Sequence, residues 1–351
     1  MANCTALQSF RLLIGVVADS RRSTRARFLS SVVQCDATSE AGQSVDFAVV
    51  AYEDGGKEAW QSTAEAMLSA KLSRVRLVAL LGRSNHSMRA KHVHRARLLN
   101  AAAVAARPHV YDAVWMLDGD ISLARLDLQA LLRRWRCPGA CGKLPTGPAM
   151  IAQPTIEPAT QLWAFNHEIW NQSLVESVRT RWIEQQVPLF DGAFVRWLHR
   201  QPVVRRILAL QDQLDTSWGM DAIWCGAAAS YLQLHPQAAV PCAVLTMPVR
   251  HDKAGEMPHR SNEERGLRLL LEAGLVPSAC TNRSCVLHPW FRLPAARPPF
   301  KEMARHNKSL HGGWVHGGCL AGGLHAAAAV RARKWRLPAG KTGGARNDRP
   351  S

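Results

Sequence analysis

Acidic residues are scarce in this chain: 27 Asp and Glu stand against 44 Lys and Arg over 351 residues, a formal net charge of +17. Such an excess first suggests nucleic acid or an anionic membrane surface as partner. Its distribution argues against both. Residues 301–351 hold ten basic and two acidic side chains, so +8 of the +17 sits in the last 51 residues. No basic block is longer than pairs such as Arg21-Arg22 or Arg133-Arg134, and the basic–aromatic interleaving that stacks bases is missing. Long apolar runs are missing too. Leu12 to Ala18 falls far short of the ~20 residues a membrane span needs. Met1 to Phe10 lacks a signal-peptide layout. The expectation is a protein soluble where it is made, or one whose anchor lies upstream of this sequence. There is no internal repeat, and no Gly-rich basic loop near the first strand to cradle a triphosphate. An apolar content of 47% with 20% charged residues excludes wholesale disorder.

What is present begins with cysteine and asparagine. Five of nine Asn lie in Asn-x-Ser/Thr sequons (Asn3, Asn85, Asn171, Asn282 and Asn307), where composition alone predicts about one. Nine Cys include the close pairs Cys137/Cys141 and Cys280/Cys285, which suit small disulfide loops. Together they point to the lumen of the secretory pathway, the Golgi being the candidate compartment. The cytoplasm is the alternative, since sequons arise freely there and Cys is also a small buried residue. Zinc is disfavoured: Cys137, Cys141, Cys280, Cys285 and His288 contain no paired Cys-x2-Cys ribbon.

Strands and helices alternate along most of the chain. Strands are expected at Arg11–Ala18, Phe47–Ala51, Arg74–Leu81, Tyr111–Leu117, Met150–Pro154 and Ala243–Val249. Helices are expected at Arg25–Gln34, Trp60–Leu72, His86–Ala106, Ala222–Leu232 and Glu263–Ala273, with mixed helix and loop over Trp163–Leu198. This alternation predicts one α/β domain over residues 8–290, with a mostly parallel central sheet flanked by helices. Cys137–Pro148 reads as a surface insertion, and residues 291–351 as a flexible, basic, Gly/Ala/Arg-rich tail.

The chemistry concentrates after the strand at 111–117, which runs into Asp118-Gly119-Asp120. Two carboxylates at the carboxyl edge of a sheet occupy the place where open α/β folds bind ligands. Alternate side chains of an extended segment share a face, so the pair can act together. It suits Mn2+ or Mg2+ bound in turn to a substrate diphosphate; a capped turn is the plain alternative. His251, just after a late strand, is a candidate third ligand, and imidazole favours Mn2+. Asp221, in Ser217-Trp218-Gly219-Met220-Asp221, is a candidate base for an acceptor hydroxyl, or else the N-cap of the next helix. Glu184 and Asp191 lie in a stretch rich in Trp (Trp163, Trp170, Trp182, Trp197), a composition that suits sugar recognition and equally an ordinary aromatic core. Glu53 and Asp54 are candidates for a ribose or base, and Lys91, Arg95 and Arg97 for a diphosphate.

In order along the chain these features resemble the domain of unknown function 707 family. The resemblance runs from Ala51-Tyr52-Glu53-Asp54-Gly55 with Trp60, through Lys91, Tyr111-Asp112 and Asp118-Gly119-Asp120, to Ile151-Ala152-Gln153-Pro154. It continues in Glu184 with Pro188 and Phe190, in Trp218-Gly219-Met220-Asp221, and in Val249-Arg250-His251. That family usually shows Asp-Glu-Asp where this chain has Asp-Gly-Asp, and an aromatic pair where this chain has His92-Val93. The resemblance implies a glycosyltransferase-A-like fold, and Trp218-Gly219-Met220-Asp221 is similar to an acceptor-side motif of galactosyltransferases of that fold. The implied activity is metal-dependent transfer of a sugar from a nucleotide-sugar donor to a hydroxyl of a glycan or glycoprotein. Asp118, Asp120 and His251 would hold Mn2+ (or Mg2+), and Asp221 and Glu184 would be catalytic. Glu53, Asp54 and Lys91 would join the acid pair on the nucleotide. The alternatives are a non-catalytic or degenerate sugar-binding protein on the same fold, and a nucleotidyltransferase.

Overall fold

The computed structural model describes Leu7 and residues 9–51, 56–81, 111–136, 148–157, 177–180, 183–214 and 220–251, with two isolated positions, Arg268 and Glu272. The chain divides into units 1–321 and 322–351, and every described residue belongs to the first.

The first half builds a parallel sheet. Strand β1 (Arg11–Ala18) is followed by helix α1 (Arg22–Thr38), β2 (Ser44–Ala51), α2 (Gly56–Ser69) and β3 (Val75–Leu81). Then come β4 (Ala113–Asp118), the two-residue β5 (Ile121–Ser122) and α3 (Leu128–Arg136). The second half holds β6 (Ala149–Glu157), β7 (Ser177–Arg179), β8 (Leu189–Asp191), α4 (Gly192–Arg200), α5 (Pro202–Leu214), α6 (Met220–Leu234) and β9 (Val240–His251). The sheet order is β3-β2-β1-β4-β8-β6-β9-β5, with β7 also on β9. Parallel pairing, expected from the alternation of strand and helix, runs through β3-β2-β1-β4 and recurs between β6 and β9. β8 enters antiparallel between β4 and β6, which makes the sheet mixed. Because β8 runs backwards, β4, β6 and β9 all point the same way, and their carboxyl ends share one edge.

The central strands read as unbroken apolar runs because both faces are covered. Leu12, Ile14 and Val16 of β1 pack with Phe28, Val32 and Trp60 of α1 and α2, and with α3. Leu13 and Val17 face the opposite layer with Phe194, Val204, Ile223 and Trp224 of α4, α5 and α6. Phe28 sets edge-on contacts against Phe47 and Trp60, 5.3 and 5.0 Å between ring centroids. These two layers are the core.

Two places depart from the sequence expectation. Trp163–Leu198 contains, among its described residues, the short strands β7 and β8 and most of helix α4, and Trp197 packs in the core against Phe194 and Tyr231. In the late strand, Pro154 pairs with Leu245 but Thr155 pairs with Pro248, so β9 carries a bulge at Thr246 and Met247. Arg134 of α3 holds that bulge, donating to the Thr246 carbonyl and hydroxyl at 3.2 Å each. No helix among the described residues is long and apolar enough to cross a membrane. The expected helices at 86–106 and 263–273, the insertion at 137–148, the tail and all five sequons lie outside the described residues, apart from helical Arg268 and Glu272 and from Pro148.

Candidate functional site

Asp118 is the last residue of β4, buried to 7% exposure and opposite Val17 of β1. The chain then turns instead of continuing the strand, and Asp120 is the second residue of that turn. The alternation argument for a shared face therefore does not apply here. Pleat places Asp118 on the face of Val114 and Met116, toward α4–α6. Asp120 is carried round the turn to His251, whose Nε2 lies 3.5 Å from Asp120 Oδ2. His251 ends β9 and is paired with Ile121 of β5, so the short strand after the turn fixes this approach.

Gly119 explains the tightness of the turn. A Cβ here would lie 2.7 Å from Ala18 Cβ and 2.8 Å from Ala18 Cα. Its N–H donates to the Val17 carbonyl at 2.9 Å, which draws the turn against β1. Only glycine fits at position 119 of this turn without a shift of the Ala18 backbone.

Helix α1 secures the rest of the segment. Arg27 Nη1 donates to the Gly119 carbonyl (2.8 Å), Ser31 Oγ accepts from Leu123 N–H (2.9 Å), and Gln34 Nε2 donates to the Leu126 carbonyl (2.9 Å). Thr38 Oγ1 accepts from Leu128 N–H at 3.2 Å. Positions 27, 31, 34 and 38 follow the spacing of a single helix face.

More polar groups gather at the same edge. Asp19, just past β1, is buried and bonded by Arg21, whose Nε donates to Oδ2 at 2.6 Å. Burial opposes its ionisation, but hydrogen bonds from Arg21 and Thr24 and the Arg21 charge outweigh that and hold it below its ordinary value. Glu184, in the segment leading into β8, is buried, its N–H donating to Gln153 Oε1 of β6 at 2.7 Å. Asp221 lies in the first turn of α6, inside the helix and not at its cap. That helix packs on β9 and joins its start through residues 235–239, so its first turn is the end nearer the carboxyl edge.

The sequence candidates thus separate. Asp118, Asp120, His251 and Glu184 converge on one edge, with the backbone of Asp221 on the helix beside it. Asp191 does not join them: it pairs with Ala113 at the opposite edge, caps α4 by accepting from Phe194 N–H, and is ion-paired with Arg136 at 2.8 Å. The extended chain through β8 drives the two carboxylates to opposite ends of the sheet. Glu53, Asp54, Lys91, Arg95 and Arg97 lie outside the described residues, as do the zinc candidates and Trp163, Trp170, Trp182 and Trp218. Sequence reading passed over Asp19 and Arg27, which the structure brings to this edge. The polar stripe of α1 was the available signal, because it replaces apolar residues on a helix that must pack.

As a cation site the edge offers one carboxylate oxygen and one imidazole nitrogen. Among the described residues no three of His, Cys, Asp and Glu gather closely enough to cage a metal. The Asp120–His251 pair fits a different arrangement, in which the protein gives one or two ligands and substrate phosphates and water complete the shell. Both side chains are nearly buried, at 12% and 6% exposure.

No family model matches the sequence, and no curated protein matches it. Among solved structures it is similar to S. aureus TarS 1–349, at 11% identity and a TM-score of 0.39, over 80% of this chain and 70% of that one. It is also similar to the mannosyltransferase PcManGT from Pyrobaculum calidifontis, solved with GDP-Man and Mn2+, at 15% identity and a TM-score of 0.38, over 86% and 69%. For the bifunctional glycosyltransferase WbbM the figures are 10% and 0.30, over 57% of this chain and 34% of that chain.

Proposed function

We propose that this chain is a metal-dependent glycosyltransferase of the glycosyltransferase-A type, related to the domain of unknown function 707 proteins and acting in an oxidising lumen. The observation that carries the reading is the approach of Asp120 and His251, residues 131 positions apart, to 3.5 Å at the carboxyl edge. Asp120 and His251 would hold Mn2+ or Mg2+, which supplies charge neutralisation to a departing nucleoside diphosphate. Asp118, on the neighbouring face, would meet the ribose or sugar hydroxyls of the donor. Asp221, in the first turn of α6, would accept a proton from an acceptor hydroxyl. Glu184, buried at the same edge, would be the second catalytic carboxylate. The donor's negative charge also accounts for a basic surround without nucleic acid. A disulfide between Cys225 and Cys242 supports the lumenal compartment.

The test is a hydrolysis and transfer screen of UDP- and GDP-sugars with and without MnCl2, paired with binding. Asp120→Ala is expected to fold normally and to lose Mn2+-dependent nucleotide binding. Binding as tight as wild type in that variant removes Asp120 from the site and takes the metal assignment with it. The non-catalytic alternative predicts no turnover of any donor and no thermal stabilisation by Mn2+ with any nucleotide.

A further inference from the structure

Asp120 reaches His251 from a short turn, Gly119 and Asp120, that joins β4 to β5. A turn of that length has two arrangements that differ by rotation of the peptide between its central residues. Here that peptide carries the Gly119 carbonyl. Neither Gly119 nor Asp120 has a positive φ. The rotated arrangement needs a positive φ at Asp120, and Asp adopts one more readily than most residues. Glycine beside it adds freedom. The turn's own sequence therefore does not choose between the two.

The choice is made from outside the turn. Arg27 Nη1, on α1, donates to the Gly119 carbonyl at 2.8 Å. Rotating the peptide would swing that oxygen away from α1 and break the bond. The other side of the same residue is fixed as well, since Gly119 N–H donates to the Val17 carbonyl at 2.9 Å. One turn further along the helix, Ser31 Oγ donates to the Arg27 carbonyl at 3.0 Å and accepts from Leu123 N–H at 2.9 Å. Asp120 thus lies between Gly119 and Leu123, both tied to α1, while Ile121 and Ser122 pair with His251 and Arg250. Of these ties, the one from Arg27 acts on the peptide that enters Asp120. A bond from a charged donor is roughly twice as strong as a neutral one.

We infer that Arg27 is a positioning residue for the metal pair, holding the turn in the arrangement that brings Asp120 to His251. The assignment rests on the transferase reading above, in which those two residues bind the ion, and adds a residue that acts through Asp120. The sign of its effect separates position from charge. A guanidinium near a divalent ion repels it, so removing a residue that acted by charge alone would tighten Mn2+ binding. Removing one that orients a ligand weakens it, by about tenfold or more.

The experiment is calorimetric titration with UDP and GDP at a series of MnCl2 concentrations, for wild type, Arg27→Met and Arg27→Lys, beside urea denaturation of each. Arg27→Lys keeps the charge but reaches less far, so it isolates position and carries the test should Arg27→Met fail to fold. The Mn2+ concentration that half-restores nucleotide binding is expected to rise about tenfold in Arg27→Met and severalfold in Arg27→Lys. Both variants should bind nucleotide as wild type does once Mn2+ saturates. An unchanged or lowered Mn2+ requirement in either folded variant, whatever its stability, overturns the positioning role and leaves the transferase reading standing. Nucleotide binding that stays weak at saturating Mn2+ overturns it too, because Arg27 would then act on the nucleotide and not through Asp120. Wild-type protein whose nucleotide binding is absent or indifferent to Mn2+ removes the transferase reading and the positioning role together.

Discussion

At the scale of single residues, Gly119 and His199 give the sharpest expectations. Gly119→Ala places a methyl where Ala18 Cβ, Ala18 Cα and the Val17 carbonyl stand at 2.7, 2.8 and 3.1 Å. The backbone contacts cannot yield as a flexible side chain would, so the turn must lift from β1. Overpacking of this kind costs about 1–3 kcal/mol. Urea denaturation should show that loss, and Mn2+-dependent nucleotide binding should weaken with it, because Asp120 moves with the turn. His199, in α4, is buried at 8% exposure, with Nδ1 lacking a partner among the described residues. Burial lowers its pKa from 6.5 to about 4. The folded state therefore keeps it neutral while the unfolded chain binds a proton below pH 6.5. Its contribution is complete above pH 6.5 and is lost as pH falls toward 4, by up to a few kcal/mol. Stability measured from pH 7 to 4 should fall less steeply in His199→Phe than in wild type. Equal slopes would mean that His199 is already charged or solvated in the fold.

At the scale of elements, α1 is the part whose role exceeds its appearance. It holds the segment after the acidic turn through Arg27, Ser31, Gln34 and Thr38. Ser31→Ala leaves the buried Leu123 N–H without its acceptor, a cost of about 1–3 kcal/mol. Amide exchange should accelerate at Leu123 before it does in β1, since the bond lost belongs to the segment and not to the sheet. The strands that carry the site were legible for a physical reason. β1, β4 and β9 are covered on both faces or nearly so, and read as apolar runs whose ends mark the edge. That is why Asp118 and His251 could be placed from sequence. β5 and β8 were not legible, at two and three residues. Their pairing depends on neighbours distant in the chain and leaves no period of its own. Asp191 stayed open between two roles because a carboxylate that caps a helix and one that binds a ligand look alike in sequence.

At the scale of the whole molecule, the Cys225–Cys242 bond joins the helix bearing Asp221 to the strand that ends at His251. Sequence reading favoured Cys137/Cys141 and Cys280/Cys285 for their closeness. Those four cysteines lie outside the described residues; among the described residues the fold pairs Cys225 with Cys242, 17 residues apart, because α6 must first run back along the sheet before β9 begins. Both half-cystines are buried, at 5% and 1% exposure, so reductant reaches them only through opening of the helix–strand contact. Closing a loop of this size stabilises by about 3 kcal/mol in the chain-entropy account. Protein treated with a phosphine reductant in mild denaturant and returned to buffer should therefore melt several degrees lower than untreated protein. Peptide mapping without reduction should recover residues 225 and 242 in one cross-linked species. Cys35 offers no competing partner, since burial first, with Asp36 nearby, pushes its thiol up to about 12 and keeps it protonated. A native protein isolated with both thiols free, and with a melting point indifferent to reductant, would argue for a reducing compartment and against the lumenal reading. The cross-linked species would tie the sheet's second half, and the edge it carries, to folding in an oxidising lumen.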